Sequence, residues 1–195
     1  MHDAIVSAAV ELFLTEGYEQ TSIRKIAEKI EYTPGAIYSY FKDKDEILFE
    51  IHLRGFEKLF EQLRPALEGV DPLDRLYRIG KLYIDFALQN PQYYDLMFIG
   101  LSMARSIKEK QEWESGEGAY GVLRQIVGEC IEKKLLPAGD VDAAAYTFWS
   151  MVHGMVSLVL RGRCMAPPAE RPNLVYGSYE YLWKVMSNQR KPDGR

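Results

Sequence analysis

The chain has 195 residues, 47% of them hydrophobic and 27% charged, with a formal net charge of −4. That apolar content in a chain of this length supports a sizeable core in one or two domains and excludes a disordered or low-complexity polypeptide. Cys130 and Cys164 form no disulfide framework, and the opening MHDAIVSAAVEL carries Asp3 and Glu11 where a secretory leader needs a basic start and an apolar run, so a reducing cytoplasm is expected.

The hydrophobic periodicity predicts an all-α fold of about nine helices and no strand. Helix 1 runs from about Asp3 to Thr15 with Ile5, Ala8, Ala9, Leu12 and Phe13 on one face, and Gly17 stops it. Thr21 and Ser22 are helix-capping residue types, and Ile23, Ile26, Ala27 and Ile30 then recur at helical spacing. The pattern breaks at Glu31-Tyr32 and restarts at Thr33-Pro34, a cap followed by proline at the first helical position. Two helices joined by about three residues form the geometry in which one helix braces while its partner enters a DNA major groove. Helix 4 starts at Asp43, which with Glu46 makes a capping box, carries Ile47, Leu48, Ile51, Leu59 and Leu63, and is expected to end at Pro65.

Asp71-Pro72 opens helix 5, and Asn90-Pro91 closes it while opening a short helix 6. Residues 100–118 are poorly patterned, with Gly116 and Gly118 suggesting a loop. Helix 7 follows through Leu123, Ile126, Val127, Cys130 and Ile131, helix 8 from Asp140, and helix 9 from about Leu174 to Met186. Residues 143–160 lack any Asp, Glu, Lys or Arg. They span roughly 27 Å at about 1.5 Å per residue, short of the roughly 30 Å of a hydrocarbon core, so a buried core or interface helix is expected rather than a membrane span. The expected domains are 1–48, a helix-turn-helix module with its motif at 22–41; 49–188, a ligand-binding and dimerisation body; and 189–195, a flexible tail.

The stretch TSIRKIAEKIEYTPGAIYSYFKDK resembles the DNA-binding motif of TetR-family transcriptional repressors. The matching elements are the Thr21/Ser22 cap, Ile26-Ala27, Pro34-Gly35-Ala36, Ile37, Tyr38, Phe41 and the Lys42/Lys44 step. The preceding segment looks like the family's first helix, and FWSMVHGMVSLVLRGR resembles the regulatory helix of a subgroup with Trp149, His153 and Gly154 in a Trp-x-x-x-His-Gly pattern. The resemblance implies base readout by Pro34, Gly35, Ala36 and Ser39. It implies phosphate contacts from Thr21, Ser22, Arg24, Thr33, Tyr38, Tyr40 and Lys44. It further implies a homodimer through helices 8 and 9, a double-stranded pseudo-palindromic operator, and release of a repressor by a small, hydrophobic effector. The family commonly carries basic residues ahead of helix 1, whereas only Met1 and His2 stand near that position here, which points either to modest affinity or to a longer true N-terminus.

Charge supplies the counter-argument. Residues 1–56 hold six basic side chains against ten acidic ones, whereas DNA-binding modules usually carry a basic footprint. The rival is therefore a helical module that binds a ligand or protein and keeps the motif without acting through DNA. In the body, Tyr83, Phe86, Tyr94, Met97, Phe98, Trp113, Tyr120, Trp149 and His153 are the candidate effector-binding residues, because aromatic walls with a few polar groups make a small-molecule pocket. His2, His52 and His153 have no metal-ligand spacing, and no phosphate loop, nucleophile elbow or paired-carboxylate motif is present. Neither an enzyme nor a cofactor or metal site is expected.

Overall fold

The computed structural model describes residues 1–99 and 114–188. Among these the elements are α1 (His2–Thr15), α2 (Ile23–Lys29), α3 (Pro34–Tyr38), α4 (Lys44–Leu67), α5 (Pro72–Gln89), α6 (Pro91–Tyr94), α7 (Glu114–Glu132), α8 (Val141–Leu160) and α9 (Arg171–Asn188). A π turn over Asp95–Ile99 continues α6, and a 3-10 turn over Pro168–Glu170 leads into α9. The described residues contain no strand, so the all-α expectation holds.

Of the described residues, 1–58, 92–99 and 114–116 form one compact unit, and 59–91 with 117–188 form a second. The first unit is built on a small core. Ile5 and Ala9 of α1, Ile26 and Ala27 of α2, Ile37, Phe41, and Ile47, Leu48 and Ile51 of α4 are all buried together, with Leu96 closing the cluster. Each large aliphatic side chain so buried stabilises by about 1.5–3 kcal/mol, enough in sum to hold a five-residue α3 that has no stability of its own.

Local chemistry fixes the turns. Gly17 takes φ +88° after α1, a conformation glycine adopts at no steric cost. Ser22 caps α2, its Oγ accepting the Lys25 N–H at 3.3 Å. The end of α2 is a Schellman motif: the Tyr32 N–H donates to the Ala27 carbonyl at 2.9 Å and the Glu31 N–H to Glu28 at 3.2 Å. Its left-handed residue is Glu31, φ +59°, where glycine is the usual occupant. Asp43 caps α4 as expected, accepting the Glu46 N–H at 2.8 Å, and the Glu46 carboxylate reaches back to the Lys42 N–H at 2.5 Å.

Two expectations need correcting. α4 does not end at Pro65 but runs through it to Leu67. The proline costs α4 one i→i−4 hydrogen bond in its last turn, and the carbonyls left free at that end are met by Arg78, whose guanidinium donates to the Pro65 carbonyl at 3.1 Å and to that of Ala66 at 3.5 Å. Gly116 and Gly118, expected in a loop, lie within α7. At Gly118 a Cβ would stand 3.4 Å from the Phe60 ring, so close approach rather than a turn accounts for glycine there.

In the second unit α5 packs on both α8 and α9. At Gly80 a Cβ would overlap the Tyr179 hydroxyl, which donates to the Tyr77 carbonyl at 2.9 Å. Tyr176 donates to Asp85 and Tyr77 to Glu180 across the same seam. Arg75 of α5 pairs with Glu129 of α7.

Candidate nucleic-acid interface

α3 and its flanks project a continuous exposed strip. Thr33, Pro34, Gly35, Tyr38, Ser39 and Tyr40 are all exposed and Ala36 is half-buried, while Ile37 and Phe41 turn into the core. Tyr38 is 58% exposed and Tyr40 48%, so neither ring is committed to the core. Thr33 caps α3 with no hydrogen bond from its side chain, which leaves its hydroxyl available. The Ser39 hydroxyl sits 3.4 Å from the Gly35 carbonyl. Tyr32, outside the expected set, is exposed beside them.

Gly35 is the informative residue of this strip. A Cβ there would meet only Thr33 Oγ1, at 3.9 Å, and its φ is not left-handed. Nothing in the fold requires glycine, and in a helix it costs about 1 kcal/mol relative to alanine. A missing side chain that the chain itself does not need makes room for something outside it.

The expected phosphate-contacting residues do not all reach the surface. Thr21 is 2% exposed; its hydroxyl donates to the Gly17 carbonyl at 2.9 Å, so its side chain fastens the turn and the expected contact is withdrawn. Lys44 is committed in the same region. Its Nζ donates to the Tyr18 carbonyl at 2.9 Å and the Thr21 carbonyl at 3.2 Å, and lies 4.1 Å from the centre of the Tyr18 ring. Ser22 and Arg24 are both exposed, but the Arg24 Nε donates to Glu28 at 2.8 Å, a bond that keeps the guanidinium pKa above its ordinary value.

The same pairing runs through the module. Lys25 meets Glu16 at 2.5 Å, Lys29 meets Glu11 at 2.6 Å, and Arg54 meets Glu50 at 2.7 Å and Asp3 at 2.8 Å. The hydrogen bond from Arg54 holds the Asp3 carboxyl below its usual range. Of the six basic side chains counted to position 56, Lys42 alone has no hydrogen-bond or ion-pair partner among the described residues. Five of the ten acidic side chains, Asp3, Glu11, Glu16, Glu28 and Glu50, are thus partners of the basic ones.

The candidate effector residues divide between the two units. In the second, the Tyr83 hydroxyl lies 3.0 Å from His153 Nδ1, His153 packs on Trp149 at 5.6 Å, and Trp149 on Tyr120 at 6.1 Å. Burial lowers the His153 pKa. Phe86 is fully buried in that unit's core. Tyr94, Met97 and Phe98 belong to the first unit, where Phe98 packs on Tyr94 at 5.3 Å and on Phe56 at 5.7 Å. Trp113 lies outside the described residues. A cavity of about 700 Å³ in the second unit is lined instead by Leu73, Leu136, Phe148, Met151, Trp183 and Met186 among others, with none of the described candidates in its wall. Its residues come from α5, α8, α9 and the α7–α8 loop, a convergence no local pattern announces.

Comparison with known proteins matches residues 5–51 to the model for bacterial regulatory proteins of the tetR family, and residues 76–175 to the tetracyclin repressor-like C-terminal domain. An uncharacterised HTH-type transcriptional regulator of Bacillus subtilis, YobS, is 30% identical over 91 residues, covering 47% of this chain and 48% of that protein. The HTH-type regulator HbdR of an Aromatoleum species is 43% identical over 74 residues, 37% of this chain and 32% of its own. The chain thus spans about half or less of the length of these relatives. Among solved structures, the fatty acid degradation regulator FadR of Bacillus halodurans superimposes with a TM-score of 0.75 at 21% identity, covering 93% of both chains, a likeness of fold.

Proposed function

The chain belongs to the TetR family of bacterial regulatory proteins, and from that premise we propose that it is a ligand-responsive transcriptional repressor that grips a pseudo-palindromic operator as a homodimer. Gly35 carries the reading, as a gap in the exposed strip that the fold does not need. A close-approaching α3 would set Pro34, Gly35, Ala36 and Ser39 against base edges, where an alanine methyl suits a thymine methyl. Ser22, Arg24, Thr33, Tyr38 and Tyr40 would then hold phosphates and fix the register. The rival reading, a module that does not act through DNA, finds no support among relatives that are named as transcriptional regulators.

Dimerisation through α8 and α9 is supported by what those helices leave uncovered. Only 22% of the apolar α8 window is buried within the protomer. Tyr146 and Leu158 of α8 and Leu174, Tyr181 and Val185 of α9 stand exposed. Met155 and the α9 residues line an open groove on the same face. An apolar face of that extent on a protein that works in water marks an interaction surface. α4 contributes residues to both units and is the proposed carrier of the effector signal. Linkage then demands that effector and operator weaken each other by one common factor.

Fluorescence anisotropy with the DNA upstream of the chain's own gene, against a scrambled duplex, tests the function. Saturable binding at two protomers per site is expected. Equal affinity for both duplexes, or none, overturns the reading.

A further inference from the structure

His52 of α4 is 1% exposed, and neither of its ring nitrogens has a hydrogen-bond partner among the described residues. Its ring contacts are aromatic: Phe49 at 6.5 Å and Phe56 at 4.7 Å, with Phe56 passing the cluster on to Phe98 and Tyr94. All of these residues lie in the first unit. A phenylalanine at position 52 would fill the space without leaving two polar atoms stranded, so the imidazole stands there at a cost to stability.

We propose that His52 is the polar handle of a small-molecule site in the first unit, one that takes an uncharged aromatic or alkyl compound bearing a hydroxyl or carbonyl group. The inference rests on the chain being ligand-responsive and assigns the chemistry of the ligand. Burial holds the imidazole neutral, with its pKa lowered to about 4. One nitrogen therefore donates and the other accepts, matching a hydroxyl in either sense. Burial is the only influence on the ring, with no charge acting on it from the described residues, so an anionic or cationic ligand group would be desolvated there without a counter-charge. The wall beside it is adjustable. Gly55, three residues on and on the same side of α4, is covered so closely by Met97 that a Cβ would overlap the thioether. Met97 is an unbranched, three-torsion side chain suited to yielding space, and it stands in the π turn Asp95–Ile99, a rare backbone form that is frequent at functional sites. Tyr94, Met97 and Phe98 thereby enter one site with a residue that sequence patterning assigns to none.

The test uses phenol, toluene and benzoate as probes of the full chain, with calorimetry for affinity and 15N spectra of the imidazole for location. Phenol should bind about five-fold more tightly than toluene, the worth of one net hydrogen bond, and more tightly than benzoate, and should shift the His52 nitrogens. In His52→Phe the phenol preference should vanish while the unliganded protein melts no lower than the parent. The inference is overturned if parent His52 resonances do not move at saturating phenol, if phenol and toluene bind equally or not at all, or if the preference survives in His52→Phe. Should that variant misfold, His52→Leu and the parent spectra still decide. Operator binding measured on the same preparations keeps the two readings apart, since intact DNA binding with no phenol response sinks the His52 site alone.

Discussion

Tyr38 holds most of its ring in solvent on a helix of five residues, and the fold gives it no packing duty. Tyr38→Ala should weaken operator binding by about 1–2 kcal/mol through one lost phosphate bond with the melting temperature unchanged; a drop in Tm with unaltered affinity would make it a packing residue. His52 supplies a pH dependence. Its pKa is lowered to about 4 in the fold against about 6.5 when unfolded, so the unfolded chain binds the extra proton first. The stability is complete above about pH 6.5 and falls by about 1.4 kcal/mol per unit down to about pH 4. Urea titrations at pH 7, 6 and 5 should show that slope, and His52→Phe should flatten it, leaving the smaller effect of His153 in the same direction. Sequence alone reads residues of this kind unevenly. Ile37 and Phe41, apolar positions of the motif, lie in the core. Thr21 and Ser22 were not separable, because only the Gly17 carbonyl brought round by the turn claims the Thr21 hydroxyl. Lys44 is tied to carbonyls more than twenty positions away, beyond any local pattern.

At the scale of elements, caps and stops were the readable part, since a helix end is written in two or three adjacent residues. Ser22, Asp43, Asp71 and Asp140 all accept the backbone bonds their type suggests. The exception is instructive. Glu31 occupies the left-handed position between α2 and α3, where a side chain costs about 1–2 kcal/mol. Glu31→Gly should therefore stabilise the chain by about 0.5–1 kcal/mol after the entropy glycine loses on folding, read as a rise in urea midpoint at constant m-value. A lower midpoint would mean that the Glu31 side chain has a stabilising contact outweighing its backbone strain.

For the molecule as a whole, Gly154 separates packing within a protomer from packing between copies. A Cβ at Gly154 meets nothing within 4 Å in the protomer, so Gly154→Leu has room to fold. If α8 of a second copy packs there, the added bulk should cost about 1–3 kcal/mol of association and shift sedimentation toward monomer. An unchanged dimer would place the interface elsewhere. The sequence conveyed an apolar α8, but whether its face was core or interface depended on what α5 and α9 leave open. The 700 Å³ cavity was illegible for the same reason: residues from Leu73 to Met186 converge on it.

The carboxylates that hold Arg24, Lys25 and Lys29 already serve as their counterions. When such a side chain turns to a phosphate it exchanges one anion for another, and the cation released from the DNA is matched by one recruited to the abandoned glutamate. Operator affinity should therefore fall less steeply with salt than about 0.9 logarithmic units per phosphate contact and per decade of concentration. Glu28→Gln frees Arg24 from its partner and should both tighten binding at low salt and steepen that slope. Anisotropy titrations across a salt series read both effects, and a slope identical in parent and variant would show that Arg24 never leaves Glu28 for DNA.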